Sequence, residues 1–207
     1  NNIGAKEHPK IIKSFGGIYQ NKKLQEYIRN IGNKIIAKSG IPNTRWTFTI
    51  LDSPIVNAFA LPGGYVYVTR GLLALANDEA EIASVIGHEI AHVTARHTAQ
   101  RHAKSALSGI GLDLLSILVG QPIITNLASI GVQGVLSSFS RSEELEADEL
   151  GIQYIFKAKY DPEGSYRFLS RLDKLTKISS NNEQNAINSI FSTHPKTIDR
   201  MKISKEN

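Results

Sequence analysis

The run His88-Glu89-Ile90-Ala91-His92 constrains this chain more than any other five residues. It lies inside a helical pattern that starts at Asn77 or Asp78, either of which can cap the first turn. Asp78, Glu79 and Glu81 suit the positive end of that helix. Ile82, Val85, Ile86 and Ile90 form its buried stripe, and the pattern carries the helix to about His102. Residues four apart on a helix are rotated by about 40°, so His88 and His92 project from one face and can hold one metal ion. Glu89 follows at once, where its carboxylate reaches a metal-activated water without being a ligand. Imidazoles paired only for packing need no glutamate in that slot.

Hydrolytic zinc sites usually take three protein ligands and leave one position open. The chain has no cysteine, so the third ligand must carry nitrogen or oxygen. The absence of cysteine also removes disulfide scaffolds, iron–sulfur clusters and thiol nucleophiles. The strongest candidates lie in Ser140-Arg141-Ser142-Glu143-Glu144-Leu145-Glu146-Ala147-Asp148, which also reads as helix. Glu144 and Asp148 share one face, so one can bind metal while the other hydrogen-bonds a ligand imidazole. Glu143, Glu146 and Glu149 point elsewhere and are expected in solvent. His97 and His102 follow His92 by five and ten residues. On one continuous helix they are turned away by about 140° and 280°, and they are left outside the site.

The other elements are legible from periodicity. Leu24, Tyr27, Ile28, Ile31 and Ile35 mark an amphipathic helix over 22–38, ended by Gly40-Ile41-Pro42-Asn43. Trp46, Phe48 and Ile50 alternate with Thr47 and Thr49, a half-buried strand. Residues 57–60 and 65–68 are two more extended pieces, split by Pro62-Gly63-Gly64. Helices are expected over 141–157 and 162–177, and Pro195 is expected to start a last short one. The fold class is α+β: a small antiparallel sheet with an open edge strand, packed on a mostly helical, zincin-like body. Residues 1–207 are expected to form a single domain.

Charge is unevenly placed along the 207 residues. Residues 1–50 carry nine Lys/Arg against two Asp/Glu, residues 51–150 five against eleven, and residues 151–207 ten against six, a net +5. An acidic middle disfavours a uniformly basic nucleic-acid surface, and the basic ends lack interleaved aromatics, so no nucleic-acid partner is expected. Residues 105–140 hold one charge, Asp113. Gly120-Gln121-Pro122 interrupts that stretch, which reads as two weakly polar helices inserted between the ligand helices rather than a membrane span. Burial, an oligomer interface, membrane-surface contact or a cover over the site would each account for it.

Taken together, these motifs resemble the gluzincin metallopeptidases of the CAAX prenyl protease, HtpX and BepA type. Besides the zinc helix, the run from Asn57 to Leu73 resembles the strand pair ahead of it. Ser140-Arg141 with Glu144, Ala147 and Asp148 resembles the third-ligand helix, and Thr193-His194-Pro195 with Arg200 the C-terminal motif. The resemblance implies that Glu144 is the third ligand and Asp148 the partner of a zinc-bound histidine, most simply His88. It places Asn57 and Ala58 on an edge strand above the metal, where an extended peptide can add as a further strand. It also brings His194 near the metal, either to hydrogen-bond the oxyanion or to occupy the open position and hold the enzyme latent. Arg200 would support that loop by an ion pair with an acidic residue of the zinc helix, and Arg141 would act similarly.

The expected activity is zinc-dependent endopeptidase cleavage of misfolded or envelope proteins, with one Zn2+ per chain and Glu89 as general base. The rival is a zinc-binding chaperone or adaptor with suppressed proteolysis. A bacterial periplasm or envelope location is implied by the resemblance alone. The chain starts at Asn1 without Met, so a removed signal or longer N-terminal region is expected.

Overall fold

A computed structural model describes residues 3–41, 45–107, 138–178, 189–195 and 200. The described elements are α1 (Ile3–Ser14), α2 (Lys22–Lys38), β1 (Thr47–Leu51), β2 (Ala58–Leu61), β3 (Tyr65–Thr69), α3 (Arg70–Leu75), α4 (Glu79–Thr94), α5 (His97–Leu107), α6 (Arg141–Lys157) and α7 (Glu163–Ile178). Residues 189–193 are also helical. The result is an α+β fold dominated by helices.

The sheet is mixed rather than antiparallel. Its order is β1-β3-β2, with β2 antiparallel to β3 and β1 parallel to it. Gly63 and Gly64, at φ 98° and 84°, make the tight turn that forces the β2–β3 hairpin. The chain leaving β1 crosses to the far side of β3 before that hairpin starts, so Thr47 pairs with Tyr65 in parallel register.

Both faces of the sheet are covered, although β1 read as half-buried. Phe48, Ile50, Ala58, Ala60, Val66 and Val68 face the core built by α2, α4 and α6. The alternate set, Leu51, Phe59, Leu61 and Tyr67, packs on Ile11 of α1 and on Phe15 just after it. Helix α1 escaped the periodicity reading, since Pro9 lies inside it and a proline usually ends a helix.

Three helix boundaries decide the site. Asp78 caps α4, accepting from Glu81 N at 2.9 Å. Ser140 caps α6 in a reciprocal capping box with Glu143. At its other end α4 stops at Thr94 instead of running to His102: Ala95 closes it, Arg96 turns left-handed at φ 61°, and α5 starts afresh at His97. Helices α4 and α6 then cross at two glycines. A Cβ on Gly151 would lie 2.9 Å from the backbone N of His88, and one on Gly87 would meet Ile155 at 2.8 Å. That close approach sets the metal-facing rows of the two helices against each other.

Among the described residues no helix is long and apolar enough to cross a membrane. Nearly all of the low-charge stretch, residues 108–137, lies outside the described residues; of the helix expected to start at Pro195, Arg200 is described and helical, and residues 196–199 lie outside.

Candidate metal centre

His88 and His92 face α6 from the C-terminal half of α4, and Glu144 meets them from the first turn of α6. His88 Nε2 lies 3.0 Å from His92 Nε2, Glu144 Oε2 3.6 Å from His88 Nε2, and Glu144 Oε1 3.4 Å from His92 Nε2. Ligands about 2.0–2.1 Å from a tetrahedral zinc ion are separated by roughly 3.3–3.4 Å. The two imidazoles and the carboxylate therefore already stand at about the spacing of one face of such a tetrahedron. Two imidazole lone pairs and a carboxylate converging this closely call for a cation between them, so the donor set fits zinc.

All three groups are buried: His88 is 9% exposed, and His92 and Glu144 are 0%. Burial pushes the pKa of His92 well down, which keeps its ring neutral and its lone pair available. Glu144 is held well below the usual carboxylate range, because Arg200 and His194 outweigh the desolvation that works against its charge. Arg200 Nη1 lies 2.6 Å from Glu144 Oε2, while its Nε and Nη2 grip Asp148 at 2.6 and 2.8 Å. The two carboxylates that Arg200 grips are on α6, and Glu89 of the zinc helix acts on it electrostatically from further off.

Asp148 Oδ1 lies 2.8 Å from His88 Nδ1, the ring nitrogen that faces away from the cluster. The expected pairing of Asp148 with His88 is therefore present in the geometry. His194 also enters the cluster. Its Nδ1 is 2.9 Å from Glu144 Oε1 and 3.3 Å from His88 Nε2, and its Nε2 is 3.4 Å from Glu89 Oε1. His88, His92, Glu144 and His194 together form a group able to hold a metal ion. Glu144 and Glu89 raise the pKa of His194 against its burial.

Glu89 is 2% exposed, and its Oε2 has no hydrogen-bond partner among the described residues. Burial pushes its pKa up, against the pull of His194 and His88. An apolar cavity opens beside it, lined by Val85, Phe168, Leu172, Ile190 and Phe191 together with His88, His194 and Arg200.

At the sheet edge, Asn57 N donates to Thr69 Oγ1 and Asn57 O accepts from Thr69 N, both at 3.0 Å. Alternation along β2 then turns the main-chain groups of Ala58 and Ala60 to the outer edge. Thr98 Oγ1 on α5 lies 3.4 Å from Ala60 O, and both Ala58 and Ala60 are buried. The Asn57 side chain is fully buried with both amide atoms unpartnered among the described residues. Arg141 opens α6 with an exposed side chain.

Sequence reasoning missed His97. The break at Arg96 swings it back, so His97 Nδ1 lies 3.0 Å from His92 Nδ1, and its Nε2 lies 3.3 Å from Glu146 Oε2. Glu146, expected in solvent, is 59% exposed but reaches this ring. Phe139 was missed too; it stacks on His92 with centroids 3.8 Å apart. Neither the left-handed Arg96 nor the stacking has a sequence signal of its own.

A buried two-histidine, one-glutamate centre, with a glutamate between the histidines on a helix under a sheet edge, defines a zincin-type metallopeptidase site. The model of peptidase family M48 matches residues 22–206, and the chain belongs to that family. It is 35% identical over 158 residues to the beta-barrel assembly-enhancing protease of Yersinia pestis, covering 72% of this chain and 32% of that protein. It is 32% identical over 182 residues to the Escherichia coli K12 protein of the same name, covering 83% and 36%. To the mitochondrial metalloendopeptidase OMA1 of Schizosaccharomyces pombe it is 31% identical over 187 residues, covering 87% and 52%. The chain thus spans about a third to a half of the length of these relatives. Two of these relatives are named proteases and the third a metalloendopeptidase.

Proposed function

We propose that this chain is a single zinc endopeptidase domain cleaving misfolded or envelope proteins. The observation that carries this reading is the unpartnered Glu89 Oε2 beside three converging donor atoms. His88, His92 and Glu144 would hold the ion, one per chain. When bound, zinc supplies a Lewis acid for the scissile carbonyl and brings the pKa of water down toward about 7. Glu89 takes the proton of the attacking water and returns it to the leaving amine nitrogen. Its raised pKa brings it closer to neutrality, which suits both transfers.

The substrate adds as a strand along the outer edge of β2 at Ala58, with Asn57 beside it offering an amide that has no partner among the described residues. The neighbouring cavity takes an apolar side chain of the substrate. In this conformation His194 Nδ1 stands at the fourth corner of the donor set, which favours the latent reading over oxyanion binding. Asp148 and Arg200 orient His88 and Glu144 from behind. Arg141 has a weaker claim to a supporting role. An envelope location agrees with the beta-barrel assembly-enhancing name of two relatives, whereas the third is named mitochondrial.

Zinc content and casein cleavage of the wild type, Glu89→Ala and His194→Ala test this together. One zinc per wild-type chain, cleavage lost in Glu89→Ala and increased in His194→Ala, is the expected set. A wild type without zinc overturns the proposal, and cleavage that survives Glu89→Ala overturns the assigned base.

A further inference from the structure

We infer that His97, oriented by Glu146, is a positioning residue that fixes which nitrogen of His92 faces the metal. The inference rests on the metal reading of the cluster and goes beyond it. An ionised carboxylate can only accept, so Glu146 Oε2, 3.3 Å from His97 Nε2, places the proton of a neutral His97 on that nitrogen. His97 Nδ1 is then a lone pair. The contact to His92 Nδ1 at 3.0 Å needs a donor, and only His92 Nδ1–H can supply it. The remaining nitrogen, His92 Nε2, is left as a lone pair where it sits, 3.0 Å from His88 Nε2 and 3.4 Å from Glu144 Oε1. Run in the opposite sense, the chain would push a proton onto His92 Nε2 and into the ligand cluster. Only one direction of the relay leaves a metal-binding tautomer.

The backbone is built for this contact. On a straight helix residue 97 would point about 140° away from residue 92. Instead a non-glycine residue, Arg96, takes a left-handed conformation, and the first residue after it is His97. His97 is 3% exposed and Thr98 2%, so the new helix start is buried against the site. Phe139 closes the other approach to His92, stacked at 3.8 Å and tilted by 20°. Arg101, one turn on from His97, lies over the Phe139 ring at 4.2 Å.

The two imidazoles are thus held by unlike partners. His88 Nδ1 faces a carboxylate that is itself gripped by Arg200, and His92 Nδ1 faces a second imidazole. No residue other than His97 among the described ones is in hydrogen-bond contact with His92 Nδ1. Loss of His97 would leave that proton free to sit on either nitrogen.

The test uses the full chain and Zn2+, with affinity read by competition against a chromophoric chelator. His97→Phe keeps the ring volume and removes the acceptor. His97→Asn places a carbonyl oxygen near the former Nδ1. Outer partners of metal-bound histidines are worth roughly 10–100-fold in affinity. His97→Phe should therefore weaken zinc binding by roughly that factor, while His97→Asn stays within about threefold of wild type. Glu146→Leu, at an exposed position where folding is not at stake, should weaken binding about 3–10-fold by freeing the His97 tautomer. Melting of the metal-free proteins shows that the variants fold, and Co2+ spectra report a changed ligand field in His97→Phe only. Zinc held as tightly by His97→Phe as by wild type overturns the inference while leaving the metal site intact. So does an equal loss in Phe and Asn, which would mark a packing role. Unchanged affinity in Glu146→Leu overturns the relay even if His97→Phe proves insoluble. A wild type that takes up no zinc overturns the site and the relay together.

Discussion

Helix α4 buries two glutamates two turns apart, and they are treated in opposite ways. Glu81 is 0% exposed and fully satisfied: Arg171 grips both of its oxygens, and Oε2 also accepts from Asn77 N at 2.8 Å. Glu89 is 2% exposed, yet one of its oxygens has no partner among the described residues. The first carboxylate ties α4 to α7, where Arg171 also bonds Leu75 O. The second faces three metal-ligand atoms and an apolar cavity. Burial alone therefore does not distinguish a structural carboxylate from a chemical one. Satisfaction does, because a buried charge without its bonds survives only where something else uses it.

The largest effect expected from breaking this contrast is on cleavage. Glu89→Gln keeps size and removes the base, and should lower casein hydrolysis by about 10²–10⁴-fold with zinc still bound. Zinc content and rate measured on the same preparation check it. Glu81→Gln should do the reverse, leaving the rate per folded, zinc-loaded chain within about twofold while lowering stability. A broken buried pair costs about 3–5 kcal/mol, and the 24% exposure of the Arg171 side chain reduces that to about 2–3 kcal/mol. Melting should fall by roughly 4–12 °C, readable by calorimetry.

The sequence separated these two glutamates by role, Glu89 as the base and Glu81 as a charge at the helix start, but not the burial of Glu81 or its clamp by Arg171. The spacing of His88, Glu89 and His92 put the metal-facing row on α4, and the four-residue step from Glu144 to Asp148 put its complement on α6. Both hold because each row lies within one unbroken helix, where spacing converts directly into direction. Reading failed where direction depends on a break or a crossing. Arg96 at φ 61° reversed the expected heading of His97, and no glycine marked it. The parallel pairing of β1 with β3 follows from the path of the chain between them, which composition does not record. Arg200 was expected to pair on the zinc helix; its close ion pairs are with α6, and Glu89 of the zinc helix acts on it only from further off. The glycines at 87 and 151 drew no reading from the sequence, yet their contact allows the two rows to meet.

That contact gives a smaller prediction, which tests whether the Glu89 region depends on helix spacing as the Glu81 region depends on its ion pair. Gly151→Ala puts a methyl 2.9 Å from His88 N and must push α6 outward. Overpacking of this kind costs about 1–3 kcal/mol, partly offset by the better helix propensity of alanine. Zinc affinity should fall by about an order of magnitude while the Glu81–Arg171 clamp keeps the metal-free fold intact. Chelator competition beside a metal-free melt separates the two effects.

The smallest expected effect concerns the stability cost of leaving Glu89 unsatisfied. Its folded pKa is raised by burial, so folding penalises the ionised form. The sign follows from linkage. Below the unfolded value of about 4.3 both states are protonated and there is no penalty; above the folded value the penalty is complete. Glu89→Gln removes it, so the metal-free variant should melt above wild type at pH 8. The gain should shrink as pH falls and vanish near pH 4. Glu81→Gln should show no such gain at any pH, because its carboxylate loses bonds rather than a burden. A Glu89→Gln protein that melts below wild type at pH 8 would mean that Glu89 is stabilised by groups outside the described residues, and the contrast between the two glutamates would collapse.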